Sequence, residues 1–173
     1  MITFVLGGNK SGKSDYALNL LQQYAGPAVF LATGRARDLS FRKQISDHRE
    51  RRDPGLPVIE VGWDLPRALQ EATSNYKTIL VDSLDFWLFL AMQEQCDEDM
   101  QQALLAVLET VRHANILLVS CEIGLTPLPS SVEARAFLKK LGRLNQAVAA
   151  VADEAYLVVA GLPLTLKKAE NGN

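Results

Sequence analysis

The chain has 173 residues, of which 48% are hydrophobic, enough for one domain with a sizeable buried core. Its formal net charge of −2 argues against a general nucleic-acid binder. No apolar run is long enough to span a bilayer, and no basic stretch precedes an apolar one at the N-terminus. Neither a membrane span nor a signal peptide is expected, and the expected location is cytoplasmic.

Residues 2–6 form a short apolar run that predicts a strand. It breaks at Gly7 and Gly8, and Asn9, Lys10, Ser11, Gly12, Lys13 and Ser14 follow. From Gly7 the spacing is G-x-x-x-x-G-K-S, the P-loop pattern. Glycines let the backbone curl so that its N–H groups face phosphate oxygens, and the next helix adds unpaired N–H groups at its positive end. Lys13 can contact the β- and γ-phosphates of a nucleotide, and the Ser14 hydroxyl can ligate Mg²⁺. Residues 13–23 predict that helix, with Ala17, Leu18, Leu20, Leu21 and Tyr24 on its apolar face.

Gly26-Pro27 ends the helix, and Ala28–Ala32 reads as a strand buried on both faces. Thr33, Gly34 and Arg35 leave the sheet. Asp38 can cap a helix over 38–52, DLSFRKQISDHRERR, which places Phe41, Ile45 and His48 on one face. A charge run of this kind is either a solvated surface or a means of bringing Arg49, Arg51 and Arg52 to a polyphosphate. Residues 58–61 predict a strand, 65–73 a short helix and 78–81 a buried strand running into Asp82. A carboxylate in that position can hold Mg²⁺ or cap the helix predicted over 84–95; Asp85 is a weaker candidate for the metal.

Residues 97–112 predict an amphipathic helix and 116–120 a strand, followed by a loop with Glu122. Ser130 or Ser131 caps a long helix to about residue 152. A strand over 155–160 and an extended piece over 164–166 end the structured part, and a frayed tail is expected over 167–173. Cys96 and Cys121 lack metal-type spacing and are expected to be free thiols, and His113 is expected to be structural or on the surface. Alternating strands and helices predict a single α/β domain over 1–173, a P-loop NTPase-like three-layer sandwich with a mainly parallel sheet. Ligands then bind at the carboxyl ends of the strands, where the P-loop, residues 33–35, Asp82 and the loop over 121–124 should meet.

Five segments in order, GGNKSGKS, ISDHRERR, ILVDSLDFWL, VSCEIGLTPLP and GRLNQAVAAVADEAYLVVAGLPLTLK, resemble the bifunctional adenosylcobinamide kinase/adenosylcobinamide-phosphate guanylyltransferases of cobalamin biosynthesis. The likeness covers nearly the whole chain. It implies a homotrimer using GTP (or ATP) with Mg²⁺, and adenosylcobinamide and its phosphate as acceptors. His48 takes the place of the family histidine, which attacks the α-phosphate of GTP and passes GMP on. A neutral imidazole is a competent nucleophile near pH 7, and the neighbouring arginines would disfavour its protonation.

By the same resemblance Thr33, Gly34, Arg35, Arg49, Glu50, Arg51 and Arg52 line the nucleotide site. Glu60 and Asp82 contact guanosine or metal, and Glu122 and Asn145 lie toward the acceptor. Ser40 and Gln44 stand where the family has an acidic residue and an arginine, and Cys121 where it has asparagine. The segment Thr126-Pro127-Leu128-Pro129 replaces a family G-I-V-P. The competing readings are a monofunctional small-molecule P-loop kinase with an incidental His48, and a GTP-binding module without catalysis.

Overall fold

The computed structural model describes residues 1–33, 55–125 and 129–168. In chain order these form β1 (Ile2–Gly7), α1 (Lys13–Leu21), β2 (Ala28–Ala32), β3 (Val58–Glu60), α2 (Leu65–Asn75) and β4 (Thr78–Asp82). They continue as α3 (Leu84–Gln93), α4 (Asp97–Thr110), β5 (Asn115–Cys121), α5 (Val132–Val151), β6 (Glu154–Val159) and β7 (Leu162–Lys167). The predicted helix over 38–52 lies outside the described residues.

The seven strands form one sheet in the order β3-β2-β4-β5-β1-β6-β7. All neighbours run parallel except β6 and β7. The central strands are continuous apolar runs because both faces are covered. Alternate side chains divide between two cores. Ile2, Phe4 and Leu6 join Trp87, Leu104, Leu108, Leu141 and Val148 on one face. Val5 joins Ala17, Leu21, Leu80, Leu117 and Val158 on the other. Each such fully buried Leu or Phe contributes about 1.5–3 kcal/mol relative to exposure. Trp87 is buried without an orphaned donor, because its Nε1–H donates to the Trp63 carbonyl at 2.6 Å.

Helix starts follow local chemistry. Ser131 caps α5, its Oγ accepting from Ala134 N at 3.1 Å. Asp64 caps α2 by accepting from Arg67 N at 3.3 Å. Gly12 stands at the cap position of α1 with φ 90° and no side-chain cap. That start leaves backbone N–H groups available to an anion.

The last strand reaches beyond its expected bounds, and residues 169–173 of the tail expected to fray lie outside the described residues. β7 begins at Leu162 and includes Lys167, whose Nζ donates to the Ala149 and Ala150 carbonyls at 3.2 and 3.0 Å. Lys167 is therefore held to the end of α5 rather than frayed, since those last-turn carbonyls have no partner within the helix.

β1 lies between β5 and β6, yet the chain passes from β1 past β5 and β4 to reach β2. The chain leaving β5 goes the other way, past β1 to β6. Such a change of direction opens a crevice at the carboxyl ends of the strands.

Candidate active site

The site grows from the end of β1. A side chain at Gly7 would collide with Ser11 Oγ and come within 2.7 Å of the Val158 carbonyl, so the loop can close this tightly only around glycine. Gly12 has a left-handed φ, and a Cβ there would sit 3.2 Å from Gly161 Cα. Gly161 N donates to the Ser11 carbonyl at 2.8 Å, and Ser11 N to the Gly8 carbonyl at 3.2 Å. The turn between β6 and β7 thus backs the phosphate loop, a task that the C-terminal Gly-Leu-Pro did not disclose in the sequence.

Asn9, Lys10, Ser11, Gly12, Lys13, Ser14 and Asp15 line a cavity of about 230 Å³. Lys13 Nζ bends back to donate to the Gly8 carbonyl at 3.3 Å. Ser11 Oγ is buried, with no hydrogen-bond partner among the described residues. A curled backbone, an open helix start, a lysine and an orphaned hydroxyl suit a polyphosphate. A larger cavity of about 770 Å³ lies between α1 and the turns entering β2 and β3, away from these strand ends.

β4 supplies the second wall. Asp82 is its last residue, level with Ala32 of β2 and Val119 of β5. The cap position of α3 belongs to Ser83, which makes no side-chain cap bond, so Asp82 stays in the strand. Thr33 holds this corner. Its N donates to the Asp82 carbonyl at 3.2 Å, its Oγ1 donates to the Ser83 carbonyl at 2.6 Å, and Ser83 N donates back to Oγ1 at 2.8 Å. Thr33 is fully buried, and these bonds make it a positioning residue for Asp82.

β5 supplies the third wall. Cys121 lies opposite Gly7, and Glu122 N donates to the Gly7 carbonyl at 3.0 Å. Glu122 Oε1 accepts from Gly124 N at 2.8 Å, shaping the loop. Burial pushes the Cys121 thiol up, Asp85 and Glu122 push the same way, and Lys13 opposes them. Lys13, Asp85, Cys121 and Glu122 therefore share one electrostatic neighbourhood.

Beneath them the Ser120 hydroxyl donates to Asn145 Oδ1 at 2.7 Å, and Asn145 Nδ2 donates to the Cys121 carbonyl at 3.1 Å. Asn145 is buried, and these bonds brace the carboxyl end of β5 from beneath.

Glu60 is exposed at the end of β3, two strands from β4 and level with Ala32. His113 is exposed and its Nε2 donates to the Thr73 carbonyl at 3.2 Å, in keeping with the expectation of a structural or surface residue. Cys96 and Cys121 are free thiols. Gly34, Arg35, His48, Arg49, Glu50, Arg51 and Arg52, with Ser40 and Gln44, lie outside the described residues.

This arrangement defines a P-loop nucleotide-binding protein. The same fold occurs in the KaiC-like protein PH0186 from Pyrococcus horikoshii OT3, with a TM-score of 0.54 at 16% identity over 90% of this chain and 69% of that one. It also occurs in the flagellar accessory protein FlaH from Methanocaldococcus jannaschii, with a TM-score of 0.54 at 16% identity over 96% and 78%. At such identities the likeness is one of fold alone. The sequence is closer to two bifunctional adenosylcobalamin biosynthesis proteins. CobP from Pseudomonas aeruginosa is 32% identical over 96% of this chain and 98% of its own. CobU from Escherichia coli is 27% identical over 96% and 100%. Residues 3–166 match the CobU family pattern, and the chain belongs to this family of cobinamide kinase / cobinamide phosphate guanyltransferases.

Proposed function

We propose that this enzyme phosphorylates adenosylcobinamide and then transfers GMP from GTP to the product, giving adenosylcobinamide-GDP. The observation that carries the reading is a closed P-loop cradle in a chain whose family match spans residues 3–166. In the first step the hydroxyl oxygen of the aminopropanol arm attacks the γ-phosphorus of the nucleotide. The bond to the β–γ bridging oxygen breaks, and the hydroxyl proton leaves to a base or to water. Lys13 swings from the Gly8 carbonyl to the β- and γ-phosphates, and the loop N–H groups hold the remaining oxygens.

In the second step a ring nitrogen of His48 attacks the α-phosphorus of GTP and expels pyrophosphate. A phosphate oxygen of adenosylcobinamide phosphate then displaces the histidine. Arg35, Arg49, Arg51 and Arg52 neutralise the phosphates, and Gly34 and Glu50 are assigned to the same nucleotide site. Glu60, exposed at the end of β3, is assigned in this reading to the guanosine.

The donor set fits Mg²⁺. Ser14 lies in the first turn of α1 and Asp82 ends β4, both oxygen donors at the strand ends. Among the described residues no three His, Cys, Asp or Glu side chains group to hold a metal alone. Mg²⁺ characteristically uses one or two carboxylates together with substrate phosphates, which would complete its ligands here, and it would neutralise charge on the transferred group. A homotrimer is part of the proposal, and the exposed Leu162, Leu164 and Leu166 of edge strand β7 are an apolar surface that a neighbouring subunit could cover. A monomeric mass by light scattering would remove that part.

The test is conversion of adenosylcobinamide, followed by chromatography and mass spectrometry with GTP, or ATP plus GTP, as donors. The expected products are the phosphate and then the GDP derivative, with the phosphate lost in Lys13→Ala. Undiminished phosphorylation by Lys13→Ala would contradict the role given to the loop.

A further inference from the structure

α3 starts two residues after Asp82, so it leads directly away from the reacting end. One face of it, Leu84, Trp87, Leu88 and Ala91, is buried in the core. The other face carries Phe86 and Phe89, 42% and 51% exposed and three residues apart on one stripe. The Phe89 ring meets Phe137 of α5 edge-on, with centroids 6.2 Å apart and planes at 83°. α5, like α3, begins after the carboxyl end of a strand, here β5. The two helices thus form an aromatic seam that opens at the same end of the sheet as the phosphate loop. Ile123, from the loop after β5, packs against the adjoining core.

A second observation lies in the first turn of α3. Asp85 Oδ1 is buried, with no hydrogen-bond partner among the described residues. A buried carboxylate oxygen calls for a donor. Asp85 lies in the first turn after Asp82, and it and Lys13 both act electrostatically on the Cys121 thiol, so the unfilled acceptor belongs to the reacting neighbourhood. From Asp85 to Phe89 the helix rises roughly 6 Å.

We propose that the corrinoid acceptor docks along α3, with its hydroxyl-bearing arm donating to Asp85 and one face of its ring lying on Phe86, Phe89 and Phe137. The inference rests on the cobinamide reading above. A corrinoid is a broad, nearly flat ring bearing methyl groups, with amide arms at its rim. Its apolar face matches exposed phenyl rings, and its arm offers the O–H that the orphaned carboxylate lacks. The nucleotide occupies the other side of the site, on the P-loop. Both substrates therefore approach the ends of β1, β4 and β5 without competing for one surface.

The experiment compares steady-state phosphorylation at varied adenosylcobinamide in the full chain, in Phe86→Ser/Phe89→Ser and in Asp85→Asn. Nucleotide Kd and light-scattering mass are measured alongside. The double variant is expected to raise KM for adenosylcobinamide about tenfold or more, as loss of two aromatic anchors does, with nucleotide Kd and mass unchanged. Phe86→Tyr/Phe89→Tyr, which keeps the rings, should return KM close to that of the unsubstituted chain. Asp85→Asn should lower kcat/KM for adenosylcobinamide at least tenfold with nucleotide Kd unchanged. An unchanged KM in the serine pair, or a changed mass that marks the seam as a subunit contact, would overturn the docking. An unchanged kcat/KM in Asp85→Asn would overturn the place given to the arm. If the unsubstituted protein turns over no adenosylcobinamide, the cobinamide reading itself fails, a result distinct from either of these.

Discussion

Thr33 shows how a side chain can serve a site without facing its ligand. In the sequence it is a small polar residue after a strand, and the resemblance puts it among nucleotide contacts. In the fold its hydroxyl bonds both backbone groups of Ser83, fixing the turn after Asp82. Thr33→Val should leave those buried groups unpaired and lower stability by roughly 1–3 kcal/mol in denaturant unfolding, while Thr33→Ser stays near the parent. Equal stability of the valine variant would refute the clasp.

Tyr156 offers a second test at this scale. Its hydroxyl donates to Glu154 Oε2 at 3.1 Å. Burial first, then the bond to Glu154 and that carboxylate's charge, push its pKa from 10.0 to about 12. The fold favours the protonated phenol, so this contribution is full below about pH 10 and fades as pH rises toward 12. Burial and Glu154 also raise Tyr16 and Tyr24. Thermal unfolding of Tyr156→Phe should fall less steeply than the parent across that window; identical slopes would contradict it. The clasp is not legible in the sequence, because fifty residues separate Thr33 from Ser83; Glu154 and Tyr156 are two residues apart in one strand, and there it is the burial of the phenol that the sequence does not disclose.

Elements were more legible than contacts. The apolar runs of β1, β2, β4 and β5 announce buried parallel strands, and each appears within two residues of its expected bounds. Ser131 was one of two serines expected to cap α5, and Ser131 makes the bond. β7 was underestimated because Gly161-Leu162-Pro163 looks like a turn, whereas Pro163 is tolerated in an edge strand. The buried link from Ser120 through Asn145 to the Cys121 carbonyl joins α5 to the end of β5. Asn145→Ala should cost about 1–3 kcal/mol in chemical denaturation, since it orphans a buried hydroxyl and a carbonyl. A stability loss below a few tenths of a kcal/mol would show that the brace contributes little.

At the scale of the whole molecule, the order of elements and the P-loop spacing suffice for the fold class, because parallel strands with helical crossovers leave few arrangements. They do not show which side chains converge, and the backing of the loop by Gly161 needs the packed molecule. The proposed division of labour asks one nucleotide site for two reactions, with a γ-phosphate transferred near Lys13 and an α-phosphate attacked by His48. The guanylyl transfer separates this account from that of a plain P-loop kinase, and covalent labelling tests it most directly. Incubated with GTP labelled at the α-phosphate, the unsubstituted chain should gain acid-labile label that adenosylcobinamide phosphate discharges, and His48→Ala should gain none. Absence of label on the active protein, or equal label on His48→Ala, would contradict the account.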